Sequence, residues 1–198
     1  MITSLSNFRA RRTRAFTLVE VLIAASIGSI VLAGVLASFL MLVRSGVRMS
    51  NYSTMETQTR RAFEQLGIDA RMANKIVSRF TGSAITSFTL TIPSHDLGTQ
   101  REVTYGFDTS DATNKKFFMV PGGDPTVTSG RQNLVNNVTN LTFLRYDTLS
   151  ALIPASTVSD DTVKHIQVSI SVSRSASGVA AATQVIRSSA FTMRNISL

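Results

Sequence analysis

No cysteine occurs in the 198 residues, and that absence removes disulfide frameworks, thiolate metal sites and cysteine nucleophiles together. It leaves an extracytoplasmic location open, because a chain of this size can build a core without covalent staples. Charge is scarce as well. Asp, Glu, Lys and Arg make up 16% of the chain, against roughly 25% in soluble proteins, and the shortfall is concentrated near the N-terminus. With 43% apolar residues and a mean hydropathy of +0.16, a wholly disordered chain is excluded. Length allows one domain with an appendage and is too short for two full domains and a linker. The deficit of charge points to membrane contact.

The formal charge is +8 and the pI about 10.8, which invites a nucleic-acid reading until the charges are placed. Arg9, Arg11, Arg12 and Arg14 lie ahead of residue 16, and no acid precedes Glu20. Sixteen basic residues then face twelve acidic ones, an excess of four. Residues 1–15 are polar and basic, and the chain turns apolar at Phe16. From Val21 to Val43 there are 23 residues without a charge. As a helix they reach about 35 Å, enough to cross a bilayer core of about 30 Å. The basic side precedes this run, so residues 1–15 are expected in the cytoplasm and everything after Arg44 outside. A cleaved secretory signal has a shorter apolar core of about 7–15 residues, and hydropathy alone reads the segment as an uncleaved signal anchor.

Glu20 upsets that reading. An acid at the start of an apolar run costs up to ~3 kcal/mol at the bilayer centre and less near the interface, and is by default a functional candidate. A cut between Ala15 and Phe16 would create an α-amine four residues before Glu20, on the same face of a helix. That ammonium could neutralise the carboxylate within one subunit or between subunits.

The segment Arg11-Arg12-Thr13-Arg14-Ala15, followed by Phe16-Thr17-Leu18-Val19-Glu20-Val21-Leu22-Ile23-Ala24, resembles the type III signal of type IV prepilins and type II secretion pseudopilins. The resemblance implies cleavage by prepilin peptidase at Ala15–Phe16, N-methylation of Phe16 and an assembly role for Glu20. The sequence departs from the family pattern at Ala15, where glycine is usual.

After Arg44 the pattern becomes amphipathic without a strong breaker. Tyr52, Met55, Thr59, Ala62, Phe63, Leu66, Ala70, Ala73, Ile76 and Val77 recur at three- and four-residue steps. Glu56, Arg60, Arg61, Glu64, Asp69 and Arg71 occupy the other face, read as solvated, with Glu56 to Arg60 and Arg60 to Glu64 spaced for ion pairs. One long helix over about 17–79 is expected, ended by Thr81-Gly82-Ser83. From Ala84 onward Thr, Ser, Val, Ile and Phe alternate with a period of two, the pattern of strands. Phe88, Leu90 and Ile92 mark one and Val103, Tyr105 and Phe107 the next, joined by Pro93–Gln100. Further strands are expected at 115–120, 141–146, 166–172 and 183–194, the last two forming a hairpin around Gly178. The fold class is α+β and pilin-like: a long N-terminal helix, with a transmembrane half and an amphipathic half, packed on a mostly antiparallel β-sheet head. The segments are a leader over 1–15, a transmembrane and assembly helix over 16–44, an amphipathic helix over 45–81 and a β-rich head over 82–198. Residues 61–73, Asn137–Phe143 with Tyr146-Asp147, and the ending 191–195 also resemble J-type minor pseudopilins and PilW-type minor pilins.

An enzyme needs convergent groups, and the inventory is thin. His95 lies in a predicted loop and His165 opens a strand, neither with metal-ligand spacing. Asp108 with Asp111, and Asp160 with Asp161, have oxygen ligands suited to calcium but no glycine-anchored spacing. Gly122-Gly123, between prolines, reads as a turn. Phe117-Phe118 beside Lys115 and Lys116 has the composition of a base-stacking platform, though a core strand with a charged start explains it better. The basic excess permits weak phosphate contact without specificity. The reading is therefore a minor pilin or minor pseudopilin, a structural subunit of a type IV pilus or type II secretion pseudopilus, with no enzymatic activity, cofactor or metal. Its expected partners are prepilin peptidase, other pilins or pseudopilins, the inner-membrane assembly platform and membrane lipid. The alternatives are a membrane-anchored periplasmic binding module that does not polymerise, and a DNA-uptake component.

Overall fold

The computed structural model describes residues 16–81, 85–93, 99–154, 163–175 and 183–193. The chain divides into two compact units, Met1–Ser45 and Gly46–Leu198. Helix α1 runs over Leu18–Met72. Every residue from Phe16 to Ser50 is exposed, and from Met55 one face is buried at three- and four-residue steps: Met55, Thr59, Ala62, Phe63, Leu66 and Ala70. Gly67 lies on that face because a Cβ there would stand 2.9 Å from the Phe191 ring.

The helix is shorter than its pattern suggests. It stops at Met72 instead of 79, and the expected amphipathic helix over 45–81 gives way to a strand, β1, over Lys75–Thr81. The Asn74 N–H already donates to the Thr91 carbonyl (3.0 Å), so the backbone exchanges its helical partners for a neighbouring strand. Ile76 is buried as the periodicity requires, but as a strand residue. One apolar position fits either period. Residues 82–84, where the helix end was expected, lie outside the described residues.

Among the described residues nine strands form two antiparallel sheets. The first has the order β1-β2-β3-β4-β5, with β2 at Ile85–Pro93, β3 at Gln100–Asp108, β4 at Lys116–Pro121 and β5 at Gln132–Val135. The second has the order β7-β6-β8-β9, with β6 at Val138–Tyr146, β7 at Leu152–Ile153, β8 at His165–Arg174 and β9 at Thr183–Thr192. The β8–β9 register runs from His165 opposite Thr192 to Arg174 opposite Thr183. The connection around Gly178 and most of Pro93–Gln100 lie outside the described residues. Phe143 of the second sheet meets Phe88 (centroids 4.8 Å apart) and Phe117 (6.3 Å) of the first, so the sheets share one core. The layout is the expected α+β one.

Helix and sheets are joined by polar contacts as well as apolar ones. Phe63 packs edge-on against Phe191. Asp69, expected on the solvated face, is 1% exposed and accepts hydrogen bonds from Tyr105 Oη (2.6 Å), Gln65 Nε2 (3.3 Å) and Arg101 (3.4 Å). Burial first, and then the bond to Asp69, push the Tyr105 phenol pKa up. Arg60 pairs with Glu64 (2.8 Å) as spaced, whereas Glu56 pairs with Arg187 of β9 and not with Arg60.

Candidate assembly site on the N-terminal helix

Ala15 and the basic leader over 1–15 lie outside the described residues. Phe16 and Thr17 precede the helix, and Phe16 is 77% exposed. Thr17 caps it: its Oγ1 accepts the Glu20 N–H (3.3 Å) and its carbonyl accepts the Val21 N–H (3.2 Å). A helix start leaves backbone N–H groups without partners, and a hydroxyl at the cap position satisfies one of them. Thr17 and Glu20 have the Thr-x-x-Glu spacing of a capping box, and Phe16 and Val21 stand where a hydrophobic staple would. This signal lay in the sequence and was missed. It also changes the expected geometry, because with α1 starting at Leu18 the backbone of Phe16 is not one helical turn before Glu20.

Glu20 is the acidic residue of the first turn, where a negative charge complements the helix dipole. Beyond it the exposed surface is apolar from Val21 to Val43. The hydroxyls within it are satisfied internally. Ser26 donates to the Ile23 carbonyl (2.9 Å), Ser29 to Ala25 (2.8 Å) and Ser38 to Gly34 (3.0 Å). A helix whose polar groups are all turned onto its own backbone is suited to lipid or to other helices. Among the described residues α1 is the one helix long and apolar enough to cross a membrane.

The remaining candidates have local explanations. His95 and the Asp160-Asp161 pair lie outside the described residues. His165 Nδ1 lies 3.0 Å from Thr192 Oγ1 across the β8–β9 ladder. Asp108 pairs with Arg131 (2.8 Å), and Asp111 accepts from the Thr113 amide (2.9 Å) and hydroxyl (2.6 Å). Among the described residues no three His, Cys, Asp or Glu side chains are grouped to hold a metal. Phe117 and Phe118 are both fully buried and offer no face to a base. Phe117 belongs to the shared core, while Phe118 points to the opposite side of the sheet beneath Arg131 (4.0 Å). Gly122 adopts φ +102°, which accounts for glycine at the expected turn.

Residues 10–36 match the family model of the prokaryotic N-terminal methylation motif. The chain is type IV pilin-like at its N-terminus. The motif implies processing by prepilin peptidase and assembly with other pilins, and together with the apolar helix it fits an inner-membrane anchored pilin. The match spans Ala15, Phe16 and Glu20 and does not reach the head. No curated protein matches the chain.

Proposed function

We propose that this protein is a minor pilin or minor pseudopilin: a structural, non-enzymatic subunit cut at Ala15–Phe16, methylated on Phe16 and assembled through its N-terminal helix. The observation that carries the reading is the methylation motif at residues 10–36, followed into a helix that is exposed from Leu18 to Ser50. Such a surface is covered in a folded assembly by lipid or by like helices. The basic leader favours a cytoplasmic N-terminus and a periplasmic head. The similarity of residues 61–73, Asn137–Phe143 with Tyr146-Asp147, and the ending 191–195 to J-type minor pseudopilins and PilW-type minor pilins favours a minor subunit of a type II secretion pseudopilus or a type IV pilus. Glu20 serves assembly, with other pilins or pseudopilins and the inner-membrane platform as partners.

Mass spectrometry of protein extracted from membranes with active prepilin peptidase tests the reading. A mature chain beginning with N-methyl-Phe16 is expected, and Ala15→Gly should be processed at least as fast. An intact leader would overturn it in favour of a membrane-anchored module that does not polymerise.

A further inference from the structure

Within the Gly46–Leu198 unit, α1, both sheets and the turn that joins them enclose a polar cleft of about 410 Å³. Helix α1 contributes Thr54 and Gln58. The first sheet contributes Lys116 and Asn133, and Arg174 at the end of β8 comes from the second. The Asn136-Asn137 turn carries the chain from one sheet to the other and is held on both sides. Asn137 N–H donates to Asn114 Oδ1 (3.0 Å), while the Asn137 carbonyl accepts the Ser173 N–H (3.1 Å). Asn137 takes φ 57°, a conformation that asparagine tolerates better than most residues.

Side-chain amides thus converge with two cations, and among the described residues no carboxylate lines the cleft. Among the described residues neither Lys116 nor Arg174 makes a side-chain ion pair. Asp111 feels the charge of Lys116, yet its own oxygen is taken up by Thr113 and Asn114. We propose that this cleft binds an oxyanion, a carboxylate or phosphate group on a small polar ligand. The guanidinium can pair with two oxygens at once and the ammonium supplies a second positive charge. The amides both donate and accept, so they suit a hydroxylated remainder. The volume falls within the roughly 300–1,000 Å³ of small-molecule sites. The inference uses no residue of 1–45 and stands apart from the assembly reading.

Calorimetric titration of the full chain in nonionic detergent with inorganic phosphate and, separately, citrate, at one ionic strength, tests it. Saturable binding of at least one is expected, and which one binds tells phosphate from carboxylate recognition. Lys116→Gln and Arg174→Gln should each weaken it about tenfold or more, while Lys75→Gln, on the far edge strand of the first sheet, leaves it unchanged. Equal weakening by all three would reveal unspecific charge attraction and overturn the proposal. So would affinities untouched by Lys116→Gln and Arg174→Gln, or no saturable binding of either anion up to about 10 mM.

Discussion

Thr17 shows how much one hydroxyl decides. By accepting the Glu20 N–H it starts the helix at Leu18 and leaves Phe16 ahead of the first turn. The next residue upstream of cap-forming type is Thr13. A helix started there would draw the proposed cleavage site, Ala15–Phe16, into its first turn, where the backbone is less open to a peptidase. Losing a threonine cap costs about 1 kcal/mol, so Thr17→Val should slow cleavage by prepilin peptidase roughly fivefold in full-length membrane-inserted protein. Thr17→Asn keeps a capping oxygen without a hydroxyl and should cleave at the wild-type rate. Equal rates for Thr17→Val and wild type, followed by immunoblotting over time, would show that the cap does not position the bond.

Among the elements, the outer face of the first sheet shows how a loop completes a fold. Phe118 lies across Gly106, where a Cβ would come within 2.5 Å of the ring, and Arg131 stacks over the ring. The Arg131 guanidinium reaches Asp108 and the Pro125 carbonyl (2.7 Å), and the Thr104 hydroxyl donates to the Gly122 carbonyl (2.6 Å). The stretch 121–131 is thereby tied over a second buried layer. Partial burial would raise the Asp108 pKa, but hydrogen bonds from Ser110 and Arg131, with the Arg131 charge, outweigh it and hold the carboxyl below its usual range. Its stabilisation is therefore present above the unfolded value of about 3.9 and is lost as pH falls through the lower folded value. Asp108→Asn should lower stability by about 2 kcal/mol near neutrality and flatten the fall in thermal midpoint below about pH 4. A midpoint that falls with acid as steeply as in the wild type would refute this. None of this layer was legible beforehand, because Arg131 sits in a loop without periodicity. The strands around Phe88 and Tyr105 were legible, since each presents alternate apolar residues to one core. β5 and β7, with four and two residues, are too short to show a period, and Asp69 looked solvated because Tyr105 and Arg101, which bury it along with Gln65, come from β3, more than thirty residues away. The same holds for the polar cleft, whose amides are scattered along the chain, whereas Phe16 and Glu20 stood out because their motif is contiguous.

At the scale of the whole molecule, the division at Ser45 and Gly46 separates a unit with its own core from one that is exposed along its described length. A fragment beginning at Met49 keeps the buried helix face from Met55 onward and both sheets, and should be a soluble, cooperatively folding protein by circular dichroism and thermal melting. An insoluble or unfolded product would mean that this core is incomplete without a neighbour. The exposed helix poses the complementary question, which Glu20 answers. Its carboxylate costs energy in lipid, so Glu20→Ala makes the isolated helix easier to insert, and any defect it causes cannot arise from poorer anchoring. Cleavage should survive as well, because the Thr17 cap uses the backbone N–H of residue 20 and not its side chain. On the proposed assembly role, the substitution removes the partner for an incoming Phe16 ammonium in a contact of low dielectric, and leaving such a charge unpaired is strongly unfavourable. The penalty falls on assembly alone. Glu20→Ala should therefore yield correctly inserted, cleaved protein that crosslinks poorly to neighbouring pilins or pseudopilins in membranes. Glu20→Gln should fail to the same degree if the charge is what the neighbour needs, and should recover part of the crosslinking if hydrogen bonding suffices. Equal crosslinking by wild type and both variants would remove Glu20 from assembly while leaving the cut before Phe16 in place.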